Sequence, residues 1–167
     1  MKNNWTLIVF LLTFILSMIF SIIANILGNL NNIVLIIVTL LVIFIGTIFD
    51  VIGTAVLSAD IKVMHSRGSQ KIKGAKEAIN LINKSDKVSS VCNDVIGDIC
   101  GILSGGLSAI LVMSLFNNAS IYQVIITAVV SALTVGSKAI GKQIAIKNAD
   151  NIIFNVGKIL GSFTRKK

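Results

Sequence analysis

Apolar residues crowd two long stretches of this chain: no charged side chain occurs from Asn3 to Phe49 or from Ile99 to Ser137. A bilayer crossing takes about 20 predominantly apolar residues, so each stretch has room for one or two crossings. The first divides at the uncharged turn Gly28-Asn29-Leu30-Asn31-Asn32, which predicts helices over 5–27 and 33–57. The second, extended back to Val88, predicts a helix over 88–116, a turn around Asn117 to Ser120, and a helix over 121–146. Residues 60–87 are polar and basic, yet Ile72, Ala75, Ile79 and Ile82 recur at three- and four-residue steps and draw one apolar stripe. A short amphipathic helix is expected there, against the membrane surface or under the bundle, with Gly68 and Lys84-Ser85-Asp86 as breaks. After Asn151 the apolar residues Ile152, Ile153, Val156, Ile159 and Leu160 again keep helical spacing before Arg165-Lys166-Lys167, so this tail is expected to lie along the interface.

The fold class is therefore all-α: a polytopic membrane helical bundle of about four transmembrane helices with a cytoplasmic amphipathic juxtamembrane helix. Residues 1–32 form an anchor helix and turn, 33–160 a transmembrane domain that contains the cytoplasmic segment 60–87, and 161–167 a basic tail.

Composition agrees. The chain has 167 residues, 54% of them hydrophobic, and no proline; a soluble domain of this size would scatter charge along every element. Formal net charge is +8, but the basic residues do not form a nucleic-acid surface. Lys62, Arg67, Lys71, Lys73, Lys76, Lys84 and Lys87 fall between the uncharged stretches, and Lys138, Lys142, Lys147, Lys158, Arg165, Lys166 and Lys167 follow the second. By the positive-inside rule both regions are cytoplasmic, which puts both termini there and brings the lysines to anionic headgroups. The expected partner is the lipid bilayer, in a bacterial-type inner or plasma membrane. The N-terminal apolar run is too long for a cleaved secretory core and has no convincing cleavage site, so it reads as an anchor. Cys92 and Cys100 lie on one helix some two turns apart, and bridged cysteines need Cα atoms within about 7 Å, so no disulfide joins them. Asn118-Ala119-Ser120 matches a glycosylation acceptor but reads as a plain turn.

The chemistry sits in three aspartates. A carboxylate at the centre of a spanning helix costs roughly 2.5 to 3.5 kcal/mol, and usually faces protein, water or a cation. Asp50 lies near the end of the second helix, and Asp94 and Asp98 are one turn apart at the start of the third. Three readings stay open: pairing with Lys138, which reaches the same depth on the fourth helix; binding of an ion or proton; or placement at the interface. Gly97, Gly101 and Gly105 recur at four-residue steps, read either as a packing face or as a source of carbonyls for an ion. His65 reads as solvated. There is no nucleophile with a histidine partner, no Cys/His cluster and no glycine-rich phosphate loop, so neither an enzyme nor an organic cofactor is expected.

Phe49-Asp50-Val51-Ile52-Gly53-Thr54-Ala55-Val56-Leu57-Ser58 resembles the first core helix of the cyclin M / CorB-type magnesium and cobalt transporters, which commonly ends in Phe-Ser-Ala-x-Glu-Thr-Ala-Leu-x-Ser. Phe49, Thr54, Ala55 and Ser58 match, and Gly53 stands where the glutamate would be. A basic juxtamembrane stretch, the Ala-rich GAKEAINLINKSDK and a serine-led membrane helix follow in the family's order. Ser89-Ser90-Val91-Cys92-Asn93-Asp94-Val95-Ile96-Gly97-Asp98 corresponds to the family's Gly-Asn-x-x-x-Asn element, with Asp94 and Asp98 at the asparagine positions. SKAIGKQIAIKNADNI is similar to the family's Gly-Glu-Ile-Ile-Pro-Lys-x-x-Ala-x-x-Asn ending: Lys142, Ala145 and Asn148 match, Lys138 replaces the glutamate and Gly141 the proline. The resemblance covers residues 33–160; the first helix is extra, and the regulatory pair of cystathionine-β-synthase-type domains is expected to be lacking.

The resemblance implies a homodimeric transporter of magnesium, with related ions such as cobalt, held among serine and asparagine oxygens in an inward-facing cavity. Magnesium requires hard oxygen donors in near-octahedral geometry. Asp50, Ser58, Ser89, Asn93, Asp94 and Asp98 are the expected metal ligands, since a descending and an ascending helix bring them to similar depth. The alternative expectation is a non-transporting membrane interaction or scaffold protein in which aspartates and Lys138 form a structural layer.

Overall fold

The computed structural model describes residues 2–28, 31–115 and 120–164. All regular structure among them is helical. The elements are α1 (Lys2–Leu27), α2 (Asn32–Ser58), α3 (Ile61–Ser69), α4 (Ala75–Ile82), α5 (Ser85–Ser89), a π-helical segment (Ser90–Gly97), α6 (Asp98–Leu115), α7 (Ser120–Lys147) and α8 (Ala149–Thr164). Four stretches are long and apolar enough to cross a bilayer, Trp5–Leu27, Asn32–Ser58, Ser85–Leu115 and Ile121–Lys147, and the chain is a multi-pass membrane protein. The centres of the two expected turns, the glycosylation-like triplet apart from Ser120, and the basic end of the tail lie outside the described residues.

Residue contacts group the chain into two compact units, each assembled from segments distant in sequence. The first comprises Met1–Thr47 and Asp94–Lys138. Its core is Ala24 of α1, Leu35 of α2 and Leu103, Leu107 and Leu111 of α6, with Phe20, Val38 and Ile110 packed around them. In lipid no water is excluded when helices meet, so close van der Waals contact has to hold them. Gly46 provides it, since a Cβ there would come within 2.7 Å of the Cβ of Cys100. Of the glycines singled out from sequence, Gly97 is buried with its carbonyl 3.9 Å from that same Cβ position on Gly46, whereas a Cβ at Gly101 or Gly105 would meet nothing within 4 Å. The carbonyls of these last two are engaged within the helix. Ser104 and Ser108, both buried, donate to the carbonyls of Gly101 and Gly105 at 2.9 and 2.7 Å, which satisfies the hydroxyls inside their own helix. Between helices, the hydroxyls of Thr47 and Ser137 share a hydrogen bond of 2.9 Å, and Ser114 donates to Asn32 Oδ1 at 2.6 Å. Outward-facing Phe10, Phe14, Val124 and Val135 are the apolar surface that lipid covers.

The second unit comprises Ile48–Asn93 and Ala139–Lys167. Its core is built largely of small side chains, Ala55, Val56, Met64, Ala78, Ala145, Ala149 and Ile153. Residues 60–87 hold α3 before the expected amphipathic helix, which is α4, and the start of α5 after it. Gly68 is not a break; it lies inside α3, which ends in a Schellman turn with Lys71 in the left-handed region at φ 55°. There Ile72 N–H donates to Arg67 O and Lys71 N–H to Gly68 O, the paired bonds of that cap. The chain re-enters α4 at Gly74, φ 92°. Helix α8 has a protein partner: a Cβ on Gly157 would run into Gly74 O and lie 2.9 Å from Ala78 N, so α4 and α8 cross backbone to backbone. Asp150 Oδ1 accepts from Asp60 N–H at 2.8 Å, and Asn151 Oδ1 from Arg67 at 3.1 Å. The Phe154 ring holds the Arg67 guanidinium at 4.5 Å and the Lys158 ammonium at 4.4 Å, the first a cation–π contact that fastens α3 to α8 and the second one within α8, four residues along.

Candidate functional site

Asp50 is enclosed by the second unit and only 3% exposed. One turn along α2, Gly53 leaves a gap that the side chain of Asn93 fills: a Cβ on Gly53 would overlap Asn93 Oδ1 and sit 2.9 Å from Cys92 Cβ. Asn93 Nδ2 donates to Ser89 Oγ at 3.2 Å, and Ser89 is itself buried. That bond orients the amide and leaves its oxygen toward α2. Asn93 Oδ1 and Asp50 Oδ2 are both buried, and neither accepts a hydrogen bond from any described residue. Buried acceptors are almost always paired, because an unsatisfied one forfeits about 1–3 kcal/mol of hydration. The nearest compensation for Asp50 is Lys142 of α7, whose Nζ stands 3.7 Å from Asp50 Oδ2 while its side chain remains 52% exposed.

Asn93 owes its direction to the π-helical segment. Such wide turns insert one residue into a helix and rotate the downstream residues by about 100°, and they concentrate at functional sites. Nothing in the apolar periodicity of residues 88–116 marks it.

The remaining acidic residues are placed differently. In the first unit Asp98 has its side chain 67% exposed and pairs with Lys138 of α7 at 3.7 Å. Lys138 Nζ also donates to Gly97 O at 3.0 Å, so this lysine both neutralises the carboxylate and satisfies a carbonyl at the end of the π-helical segment. Asp94 is exposed, and Ser58, the last residue of α2, is exposed two turns beyond Asp50. Among the described residues no three His, Cys, Asp or Glu side chains converge. Of the six sequence-derived ligands the structure encloses Asp50 and Ser89, half-buries Asn93 and leaves Ser58, Asp94 and Asp98 in the open. Lys142 is the partner that sequence reasoning misses; its place one turn from Lys138 is the available signal.

Chemically, the enclosed oxygens are one carboxylate, one amide oxygen and one hydroxyl, the last accepting from Asn93 Nδ2 and keeping its own proton to donate, with an ammonium able to withdraw toward solvent. These are hard donors of the kind that hold magnesium or calcium, and too few to replace a full hydration shell. A comparison with known proteins finds no matching family model, no matching curated protein and no matching solved structure.

Proposed function

We propose that this multi-pass membrane protein, which resembles the transmembrane core of the CorB-type transporters, binds and moves a divalent cation, magnesium first among them. The site is Asp50, Ser89 and Asn93, reached from the cytoplasmic side. The observation that carries this reading is the pair of buried oxygens without donors, Asp50 Oδ2 and Asn93 Oδ1. Gly53, standing where the family has a glutamate, gives its space to the Asn93 amide oxygen. Lys142 acts as a tethered counter-ion that an arriving cation displaces. The reading includes a homodimer, as the resemblance implies, and cytoplasmic termini, as the lysine distribution implies.

Full-length protein in liposomes loaded with a magnesium-sensitive dye should give magnesium-dependent flux. Asp50→Asn and Asn93→Ala should abolish it, while Asp94→Asn retains it. Flux equal to that of empty liposomes overturns the reading.

One observation favours a second reading: both Asp50 and Asp98 have a lysine at 3.7 Å. Two such pairs suit a non-transporting interaction or scaffold protein whose charges are structural. In that case crosslinking from the region of Lys71 to Lys87 captures a stable membrane partner, and Asp50→Asn weakens assembly without altering any response to magnesium.

A further inference from the structure

The second unit carries a groove of about 1210 Å³ between the α3–α4 turn and α8, prolonged along α4 by a further stretch of about 480 Å³ that shares Lys76 and Glu77 with it. Four lysines line the larger part, Lys71, Lys73, Lys76 and Lys158, against one carboxylate, Glu77. None of the four has a carboxylate within 4 Å among the described residues. Lys158 instead lies over Phe154, and Glu77 rests against Gly161. The first turn of α4 opens on the same space, and its N-cap is Gly74, with no side chain to accept the amide hydrogens, so the positive end of that helix adds to the field.

The floor is a different material. Ile72 and Ile79 line the first stretch and Leu81, Val88 and Leu160 the second, with Ile72 39% and Leu160 41% exposed. A soluble anion would use the lysines and gain nothing from this apolar floor. A phospholipid uses both, setting its phosphate among the ammonium groups and its upper acyl chains on the isoleucines and leucines. The groove is also in reach of a bilayer, because its second stretch is lined by Val88, which belongs to the candidate span Ser85–Leu115. We infer that this groove binds the headgroup and upper chains of an anionic phospholipid.

The test uses the full chain in neutral detergent, titrated with dioctanoyl phosphatidylglycerol or dioctanoyl phosphatidylcholine and read by native mass spectrometry. The anionic lipid should bind at least about tenfold more tightly, given a contribution of about 1 kcal/mol per lysine near an anionic headgroup. Each of Lys73→Gln, Lys76→Gln and Lys158→Gln should weaken it roughly fivefold, whereas Lys62→Gln and Lys147→Gln, outside the groove, leave it unchanged. Ile72→Ala should weaken it too. Lys71→Gly relieves a left-handed residue and so keeps the fold while removing a charge; it too should bind the anionic lipid more weakly. Equal affinity for the two lipids overturns the inference. So does an effect of Lys62→Gln as large as that of Lys76→Gln, which marks diffuse surface charge. Displacement of the lipid by an equal concentration of inorganic phosphate overturns it as well, since the site would then be one for a free anion.

Discussion

Asn93 Oδ1 rests on the backbone of Gly53, in space that any side chain at that position would occupy. The contact joins α2 to the π-helical segment at the level of Asp50, so it fixes both the spacing of two spans and the aim of a candidate ligand. Gly53→Ala should push Asn93 and Cys92 away and destabilise the protein by about 1–3 kcal/mol, the usual range for overpacking. A thiol-reactive fluorogenic dye measures this directly, because Cys92 is buried and Cys100 half-buried. The variant's thiols should react at a lower temperature than the wild type's.

Asp50 and Lys142 separate the two functional readings. If Lys142 competes with a cation for Asp50, Lys142→Gln should tighten magnesium binding on the order of tenfold, equivalent to roughly 1.4 kcal/mol. The same change leaves a buried carboxylate without its counter-charge, so stability in the absence of magnesium should fall. Asp50→Asn should do the reverse, tolerated without the metal because the half-exposed Lys142 can turn to solvent, and losing the magnesium-induced rise in melting temperature. Melting curves at increasing magnesium for the three proteins decide it. Equal rises in all three mean that Asp50 is not a ligand.

The spans are legible in the sequence because about 20 apolar residues in a row admit few other fates, and the structural ends of α2 and α7 fall within a residue or two of those the pattern predicts. The stripe in the juxtamembrane segment is legible through its three- and four-residue spacing: Ala75 is buried and Ile79 and Ile82 partly so, while Ile72 falls in the turn before α4 and is exposed. The hidden features lie where backbone geometry departs from the default. The left-handed turn at Lys71 carries none of the glycine or asparagine that would announce it, and Gly68, which has the look of a break, continues α3. The π-helical segment turns Asn93 toward α2 and leaves Asp94 exposed, and an α-helical reading cannot anticipate that rotation. The Lys138 pairing is visible as one of three alternatives, since an uncharged helix gives a lone lysine few places to go. Lys142 enters the sequence reading as part of an ending motif, and its place one turn from Lys138 is the signal for its pairing that goes unread.

Lys138 contributes more than its charge. With its side chain 20% exposed, it faces Asp98 at 3.7 Å and donates to Gly97 O at 3.0 Å. Lys138→Ala removes both, taking an ammonium donor from the Gly97 carbonyl and the counter-charge from Asp98, and should lower stability by about 1–3 kcal/mol, a range that covers the loss of a hydrogen bond from a charged donor. Asp98→Asn keeps the bond to Gly97, and its carboxylate is largely exposed, so its effect should stay under about 1 kcal/mol. Equal losses in thermal unfolding of the two variants contradict this division of roles.

Lys71 offers a gain rather than a loss. It occupies the left-handed position of the cap that ends α3, at φ 55°, where a side chain crowds the following carbonyl and costs about 1–2 kcal/mol relative to a right-handed conformation. Glycine lacks that crowding but gives up more chain entropy on folding, so Lys71→Gly should stabilise the second unit by a net amount of about 1 kcal/mol. Because α3, α4 and α8 are bound to one another through Met64, Ala78 and Ile153, the gain should extend beyond the turn. Limited trypsinolysis reads it at neighbouring Lys73 and Arg67, whose cleavage requires the turn or the end of α3 to open. With the site at residue 71 itself removed, cleavage at these two positions should slow severalfold in the variant; unchanged or faster cleavage means that the turn is not strained.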